Sequence, residues 1–358
     1  MIDNLQYRLR VAGPYQLLKD ARDKLFSSRQ DRIPIRHVGD ATGKRRVLFV
    51  HQGAWAIYNV GIEWFSAIPG VTCTMVDVED FIAKPELQHE HDLVVFGYTQ
   101  IFRACLRVVR TRPSIVCVHD PRELFDEVPD WRSHRANPGD IELFKEADLV
   151  VCTSHEMRDC LAEEGVVAIC VPTTSLLPAI PSPLLETRGR LRVTTVGRIY
   201  RRKRFELFRE VATMSRTKGL PIDFYAKYDR RPLPELKYIS YLDRSQIYMV
   251  TSFQEGGPLP AMDAMQRGLV VLSTPVGQMP EIVVDASSGF ICCTASEFIE
   301  RLSMLSNDPA MLSRMRRESL NRINEVRSGR TIADAVEKML TAIPIPAVPH
   351  GPADAGEL

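Results

Sequence analysis

The sequence lacks several features that would mark a membrane-spanning, secreted or zinc-binding protein. None of its apolar runs reaches the roughly 18 residues that a transmembrane helix needs. The N-terminal segment MIDNLQYRLR has no apolar core of the kind found in signal peptides. The eight cysteines form no Cys-x-x-Cys pair, which argues against a zinc site and fits a reducing compartment. We therefore expect a cytoplasmic protein.

An excess of charge and the common nucleotide-binding fingerprints are also missing. The net charge of +1 argues against a broad nucleic-acid surface. The absence of Gly-x-Gly-x-x-Gly removes the main support for a nicotinamide dehydrogenase. The segment GDATGK at residues 39–44 is one residue short of a P-loop and precedes a strand. No convincing Asp-x-Asp motif ends a predicted strand, since Asp77–Asp80 has only a passing similarity to one.

What is present is an ordinary globular composition with alternating strands and helices. A length of 358 residues favours two domains. In the N-terminal half, helical patterns such as Glu156–Glu164 separate short apolar runs, and Thr153 with Glu156 matches a capping box. This order predicts a parallel sheet covered on both faces. The predicted strands are Val47–His51, Cys73–Val78, Leu93–Tyr98, Ile115–His119, Leu149–Thr153 and Val167–Val171.

Residues 247–289 combine acids, glycines and prolines in an informative order. Ile247–Val250 is apolar without alternation, as in a strand buried on both faces. Gly256 and Gly257 allow the backbone to approach a ligand closely. The helix predicted at Ala261–Arg267 would present free N–H groups beside this turn, which favours binding of an anion such as a diphosphate. A strand, a turn and a helix with two solvated acids is the alternative interpretation.

Two further segments have similar properties. Leu269–Ser273 predicts another buried strand, and the loop after it ends at Glu281, which could cap a helix or contact a ligand. Upstream, a strand at Leu191–Val196 is followed by basic residues, with Arg198 and Lys203 suited to a diphosphate. Basic charge at a helix N-terminus opposes the dipole, so an anionic ligand would explain it. The remaining arginines of this segment are expected to be exposed or to contact an acidic acceptor: Arg201, Arg202 and Arg204.

In this order, the segments resemble the retaining, nucleotide-sugar-dependent glycosyltransferases of family GT4 (glycosyl transferases group 1). The resemblance covers roughly residues 45–325 and is most specific across 196–289. It implies an α/β protein with the GT-B fold, in which two Rossmann-like domains face a cleft. It also implies a UDP- or GDP-sugar donor, no cofactor and no catalytic metal, because Arg198 and Lys203 would supply the positive charge.

The resemblance also implies roles for individual residues. It assigns catalytic roles to His119, Glu255, Arg198 and Lys203. The donor-binding residues would be Gly53, Arg198, Lys203, Glu255, Gly256, Gly257, Pro258, Leu259 and Asp263. Glu255 would bind sugar hydroxyls and Asp263 the ribose, whereas His119 could instead be a turn histidine paired with Asp120.

Three positions depart from the family pattern. Gln278 stands where a second glycine is usual, and Asp263 replaces a glutamate that is one methylene longer. Pro172–Ser175 replaces an Asn-Gly-Val-Asp-like turn. Gln278 leaves the approach of its loop to the donor open, and the shorter Asp263 keeps open an inactive, sugar-binding relative.

The expected organisation has five parts. Residues 1–40 would form a helical extension, whose apolar stripe favours packing or oligomerisation over a membrane-surface contact. The other parts would be an acceptor domain at 41–180, a nucleotide-sugar-binding domain at 190–325, a helix at 326–343 that crosses back, and a disordered tail at 344–358.

We therefore predict a glycosyltransferase that uses a nucleoside-diphosphate sugar. The acceptor would be a carbohydrate, a lipid-linked molecule or a small molecule, and surface polysaccharide or glycoconjugate biosynthesis is the expected context. A peripheral contact at the inner face of the membrane is compatible with this function. An epimerase-like GT-B enzyme and an inactive, sugar-binding relative are the alternatives.

Overall fold

A computed structural model describes residues 35–53, 56–66, 68–109, 113–175, 177–178, 190–198, 200–228, 235–327 and 330–343. The predicted helical stripe near the N-terminus and the tail 344–358 lie outside these residues. Within them, the strands are β1 Arg36–Gly39, β2 Arg45–His51, β3 Val71–Asp77, β4 Leu93–Phe96, β5 Ser114–Val118, β6 Leu149–Cys152, β7 Ala168–Cys170, β8 Leu191–Gly197, β9 Ile222–Tyr228, β10 Ile247–Val250, β11 Val270–Ser273 and β12 Gly289–Ile291.

The helices alternate with these strands. They are α1 Ala56–Ser66, α2 Val78–Ala83, α3 Thr99–Cys105, α4 Pro138–Phe144, α5 His155–Glu163, α6 Phe205–Thr217, α7 Glu235–Asp243, α8 Leu259–Gln266, α9 Met279–Ile282, α10 Ala295–Asn307, α11 Pro309–Arg327 and α12 Arg330–Thr341. None of the helices in the described part of the chain is long and apolar enough to cross a membrane.

Two separate sheets form the centres of two domains. The N-terminal sheet has the order β1-β3-β2-β4-β5-β6-β7, and its strands are parallel except β1, which runs antiparallel to β3. The C-terminal sheet has the order β12-β11-β10-β8-β9 and is parallel throughout. Because β1 already belongs to the N-terminal sheet, ordered strand structure begins before the predicted domain boundary at residue 40.

Apolar residues cover both faces of each sheet. On β2, Leu48 and Val50 face one cluster, whereas Val47 and Phe49 face the other. The strands of the C-terminal sheet divide their side chains in the same way. Burial on both faces explains why the sequences of these strands are continuous apolar runs without alternation.

The predicted strands of the N-terminal half are all present, with ends shifted by one or two residues. The predicted capping box is wrong, because Ser154 is the N-cap residue of α5 and accepts a hydrogen bond from the Met157 N–H at 3.2 Å. The helix predicted from Ala261 begins two residues earlier, at Leu259.

The C-terminal helix α12 packs on the N-terminal domain. Its residues Val336, Met339 and Leu340 are buried in the same cluster as β2 and β3. The guanidinium of Arg45 in β2 donates to the Leu340 carbonyl at 2.8 Å. The chain thus returns to the first domain after completing the second.

The two domains contact each other along what we call the interdomain seam. Trp131 donates from Nε1 to the Phe253 carbonyl at 3.1 Å, and Arg202 Nη2 lies 3.2 Å from Asp120 Oδ2. The buried indole holds the segment after β5 against the loop that leaves β10, and the buried ion pair holds it against the loop that leaves β8.

Candidate active site

The predicted donor-binding loops leave neighbouring strands of the C-terminal sheet. β8 and β10 are adjacent, while β9 lies beyond β8 and β11 lies beyond β10. In open α/β sheets, ligands bind beyond the carboxyl ends of the strands at such a switch in strand order. The loops at 198–204 and 251–258 leave β8 and β10 at this point. The fold therefore places both predicted loops where a ligand site is expected.

Glu255 lies buried among hydrogen-bond donors. Arg202 Nη1 donates to its Oε2 at 2.6 Å, and Lys203 Nζ donates to its Oε1. Ser252 donates from Oγ to the same Oε1 at 2.6 Å. Burial opposes ionisation, but the charges of Arg202 and Lys203 outweigh it and lower the pKa of Glu255 to about 2. Glu255 is therefore ionised at neutral pH and is held by the protein itself.

Arg202 is a site residue that sequence reasoning did not select. Its side chain is buried, whereas we expected it to be exposed or to contact an acidic acceptor. Besides Glu255, it contacts Asp120 across the seam and donates to the Gln254 carbonyl at 3.0 Å. Burial lowers the pKa of Arg202, but the charges of Asp120 and Glu255 raise it overall. Because the neighbouring residues are equally basic, local sequence does not distinguish the arginine that turns inward.

Arg198 and Lys203 take different partners near this cluster. Lys203 pairs with Glu255, whereas Arg198 Nη1 donates to the Tyr200 hydroxyl at 3.4 Å. Residues 201–203 form a single 3-10 turn, and Arg204 adopts a left-handed conformation with φ of 44° before α6 begins. The basic residues therefore precede the helix and do not occupy its first turn.

Asp263, the second predicted acid, lies in α8. It accepts hydrogen bonds from the Ser175 hydroxyl at 2.6 Å and from the Tyr238 hydroxyl at 3.0 Å. Pro258 is the N-cap residue of α8 and Leu259 is its first residue. Asp263 thus connects α8 to the segment that follows β7.

Gln278, at a position where the family that the sequence resembles usually has a glycine, pairs with Thr173. Its Oε1 accepts from the Thr173 N–H at 3.2 Å and from Oγ1 at 2.8 Å, and its Nε2 donates to the Thr173 carbonyl at 3.3 Å. The side-chain amide therefore binds a backbone unit of the other domain at both its donor and its acceptor. Gln278 and the segment Pro172–Ser175, which both depart from the pattern of the resembled family, therefore contact each other.

The glycine turn touches the N-terminal domain directly. A Cβ atom on Gly256 would lie 1.5 Å from the His119 carbonyl oxygen. A Cβ atom on Gly257 would lie 2.4 Å from the Thr173 Oγ1. Glycine is therefore needed at both positions for close contact with the opposite domain in this arrangement.

His119 lies at the carboxyl end of β5. Its ring stacks on Trp64 with the ring centroids 6.1 Å apart, and burial lowers its pKa to about 4. The buried Nε2 has no hydrogen-bond partner among the described residues. The Asp120 carboxylate contacts Arg122 and Arg202, at 3.2 Å in each case. His119 is thus a neutral imidazole with one nitrogen suited to a ligand.

Gly53 follows β2 with a φ of +61°. Its N–H donates to Asp77 Oδ2 at 2.9 Å, and the other oxygen of Asp77 caps α2 by accepting from the Glu79 N–H at 3.0 Å. Gly53 thus binds Asp77 in this arrangement, and its contact with the sugar-phosphate of a donor stays a prediction. Asp77 itself is a capping residue, as expected if the Asp-x-Asp resemblance is accidental.

Glu281 contacts the opposite domain. Its Oε1 accepts a hydrogen bond from the His155 N–H, the first of α5, at 2.7 Å. Glu156 reciprocates, because its Oε2 accepts from the Gly277 N–H at 2.9 Å. Of the two interpretations left open, helix capping is observed, and the capped helix belongs to the N-terminal domain.

A cavity of about 20 Å³ lies between the two donor loops. Lys203, Tyr248, Glu255 and Pro258 are among its lining residues. This volume suits one water molecule.

Two Rossmann-like domains, with the candidate site at their seam, define the GT-B fold. Residues 233–322 match the family model described as "Glycosyl transferases group 1". Residues 94–173 match the model described as "Glucosyltransferase 3-like, N-terminal domain". Together these matches support a glycosyltransferase. No curated protein matches the chain by sequence.

Several solved structures share the fold. Sucrose-phosphate synthase from Thermosynechococcus elongatus has a TM-score of 0.61 and 14% identity, covering 83% of this chain and 98% of the synthase. Anabaena HepE, in complex with UDP and glucose, has a TM-score of 0.57 and 12% identity, covering 83% and 99%.

A TarM variant from S. aureus, in complex with fondaparinux, alpha-GlcNAc-glycerol and UDP, has a TM-score of 0.58 and 14% identity. That similarity covers 70% of this chain and 55% of TarM. At these identities, the similarities to solved structures establish the fold alone.

Proposed function

We propose that this protein is a retaining glycosyltransferase that moves a sugar from a UDP- or GDP-sugar to an acceptor hydroxyl. The main observation is the buried contact of Glu255 with Arg202 and Lys203, where β8 and β10 end. A surface polysaccharide, a glycoconjugate or its lipid-linked precursor is the acceptor class that we favour. HepE and TarM were solved with UDP, which makes UDP the first nucleotide to test.

Positive charge supports departure of the diphosphate in this proposal. Negative charge grows on the leaving group in the transition state, and Lys203, Arg198 and the N-terminus of α8 would stabilise it. The same groups would make a catalytic metal unnecessary. Glu255 would keep the Lys203 ammonium in place and share its remaining lone pairs with a sugar hydroxyl.

The other site residues would position the reactants. His119 would hydrogen-bond a sugar hydroxyl through its unpartnered Nε2. Asp263 would bind the ribose by exchanging the Ser175 hydroxyl for a ribose hydroxyl. Departure of the diphosphate and attack of the acceptor on the same sugar face would retain the anomeric configuration.

Donor entry would require the seam to open. The cavity beside Glu255 has a volume of about 20 Å³, far below the roughly 300 Å³ or more of ordinary small-molecule sites. Closure of the two domains over the donor would then exclude water and complete the site.

Replacement of Lys203 tests the diphosphate site. We expect Lys203→Ala to weaken binding of the cognate nucleoside diphosphate by about tenfold or more, because it removes a charge-assisted hydrogen bond. Calorimetry with UDP and GDP measures the effect. Lys145→Ala removes an exposed lysine paired with Glu142 and should bind like the wild type. Equal affinity of Lys203→Ala and the wild type would refute the assignment.

Product analysis tests the reaction itself. A panel of UDP- and GDP-sugars should yield transfer with retained anomeric configuration by NMR, and the rate should not depend on added Mg²⁺ or Mn²⁺. An inverted product would overturn the retaining mechanism. An epimerised donor formed without acceptor would indicate the epimerase alternative. Nucleotide binding without any turnover across the panel would indicate the inactive relative.

A further inference from the structure

Three side chains with metal-binding atoms meet at the seam, on elements outside the donor loops. His155 begins α5, Cys170 ends β7 and Glu281 lies in α9, and we call them the seam triad. One ligand atom from each, a ring nitrogen, a sulfur and a carboxylate oxygen, lies within 4.8 Å of the other two.

The separation of the first pair fits a shared metal ion. His155 Nδ1 lies 3.4 Å from Glu281 Oε2. Two ligands at about 2.0–2.1 Å from a tetrahedral zinc ion lie about 3.3 Å apart. An ordinary His–Glu ion pair would account for this contact, but it would not account for the convergence of a cysteine on the same point.

Neighbouring groups orient the triad. The His155 N–H donates to Glu281 Oε1 at 2.7 Å, which leaves Oε2 directed at the imidazole. Arg322 Nη2 donates to the Glu281 carbonyl at 3.0 Å and fixes α9. Cys152 is the register partner of Cys170 on β6, and the Cys152 thiol donates to the Ser154 carbonyl at 3.5 Å. Outer hydrogen bonds of this kind are usual around metal ligands.

We propose that the seam triad binds a thiophilic divalent cation of the Zn²⁺ class, with a fourth coordination position left for water. Thiolate, imidazole and carboxylate are the ligands that zinc prefers. The His155 side chain is 57% exposed, so an ion can enter from solvent. Two ligands belong to the N-terminal domain and the third to the C-terminal domain. A bound ion would therefore bridge the two domains and stabilise the closed seam against the opening that donor entry requires.

Cobalt spectroscopy tests the site directly. The untagged full-length chain is stripped of metal and titrated with Co²⁺, which should give a thiolate-to-cobalt charge-transfer band that Zn²⁺ then removes. Cys170→Ser should abolish this band. Both Cys170→Ser and His155→Ala should lower Zn²⁺ affinity about tenfold or more in calorimetry.

Two matched variants serve as controls. Cys293→Ser removes an exposed cysteine outside the triad, and His134→Ala removes an exposed histidine near Asp130. Both should bind Co²⁺ and Zn²⁺ like the wild type. Absence of the thiolate band in the wild type would overturn the proposal. Unchanged Zn²⁺ affinity in His155→Ala would also overturn it, even if Cys170→Ser did not fold.

Discussion

At the scale of single residues, two acids near the seam, the buried Glu255 and the half-buried Glu63, differ in charge because their partners differ. Glu255 is ionised, since Arg202 and Lys203 compensate for its burial. Glu63 in α1 accepts a long hydrogen bond from the Thr174 N–H, at 3.4 Å to Oε2. Its Oε1 has no partner among the described residues, and burial raises its pKa to about 7. Glu63 thus exchanges its proton near neutral pH.

The raised pKa of Glu63 predicts a pH-dependent stability. Its pKa in the folded protein, about 7, exceeds the ordinary value of 4.5, so the folded state binds more protons between these values. Stability should therefore fall as pH rises from about 4.5 to about 7. Glu63→Gln removes the penalty and should exceed the wild-type free energy of unfolding by about 2–3 kcal/mol at about pH 8.

Urea unfolding of both proteins at about pH 5 and about pH 8 measures this difference. Near the lower pH the advantage of Glu63→Gln should largely disappear, because the wild-type carboxyl is then mostly protonated in the folded state. Glu142→Gln, at an exposed ion pair with Lys145, should show no such dependence. An advantage of equal size at both pH values would contradict the prediction.

At the scale of elements, the departures from the family pattern form contacting pairs. Gln278 before α9 binds Thr173, and Asp263 in α8 binds Ser175. Both partners lie in the segment after β7 that lacks the family turn. Asp263 and Gln278 thus connect α8 and the loop before α9 to the segment after β7. Each replacement therefore has a hydrogen-bond partner in a segment that also differs from the family pattern.

The glycine turn between β10 and α8 gives a test of this packing. Gly256→Ala would place a methyl group 1.5 Å from the His119 carbonyl oxygen. Because the clashing atoms on His119 are backbone atoms, they cannot rotate away as a side chain could. The loop or the seam must therefore shift, and we expect a loss of about 1–3 kcal/mol in the free energy of unfolding. Denaturant unfolding measures this loss, and nucleotide calorimetry reports whether the donor site is displaced as well.

Gly139→Ala in α4 is the matched control, because its Cβ would meet only ordinary contact, 3.4 Å from the Asn137 side chain. We expect that variant to be as stable as the wild type or slightly more stable, since alanine favours a helix. Equal stability of Gly256→Ala and Gly139→Ala would show that the turn does not pack against His119.

At the scale of the whole molecule, helix α12 completes the core of the first domain, although it follows the second domain in the sequence. Val336, Met339, Leu340 and Ile343 join the apolar cluster of the N-terminal sheet. The face of that sheet therefore depends on residues near the end of the described chain. Because α12 and the seam both contact the N-terminal domain, we expect the stability of that domain to depend on the C-terminal part of the chain.

Leu340→Ala tests the dependence. Leu340 is 2% exposed, so the substitution leaves a cavity in the N-terminal core and should cost about 2–5 kcal/mol. Thermal and denaturant unfolding measure the loss. Leu236→Ala, at a leucine that is 82% exposed, should change stability by less than about 0.5 kcal/mol. Similar values for the two variants would mean that α12 contributes little to the core.

Local patterns in the sequence determined much of the framework. The strand at Ile247–Val250 agrees with the structure to the residue, because four consecutive buried positions leave an uninterrupted apolar run. The loops after β8 and β10 could be predicted from their glycine, proline and charged residues, because these residues affect the backbone conformation of their immediate neighbours. Through the family resemblance, the sequence also indicated the GT-B fold that the structural similarities establish.

Only the tertiary structure decided which side chains meet. Arg202 turns inward because Asp120 and Glu255 approach it from two domains, and Gln278 finds Thr173 across the seam. Hydrophobic periodicity depends on neighbours along the chain, whereas a buried ion pair or amide contact depends on residues far apart in sequence. The sequence by itself therefore determined most strands and the loops after β8 and β10, but not the strands β1, β9 and β12. Folding of the whole chain decided the charges and partners of the candidate site.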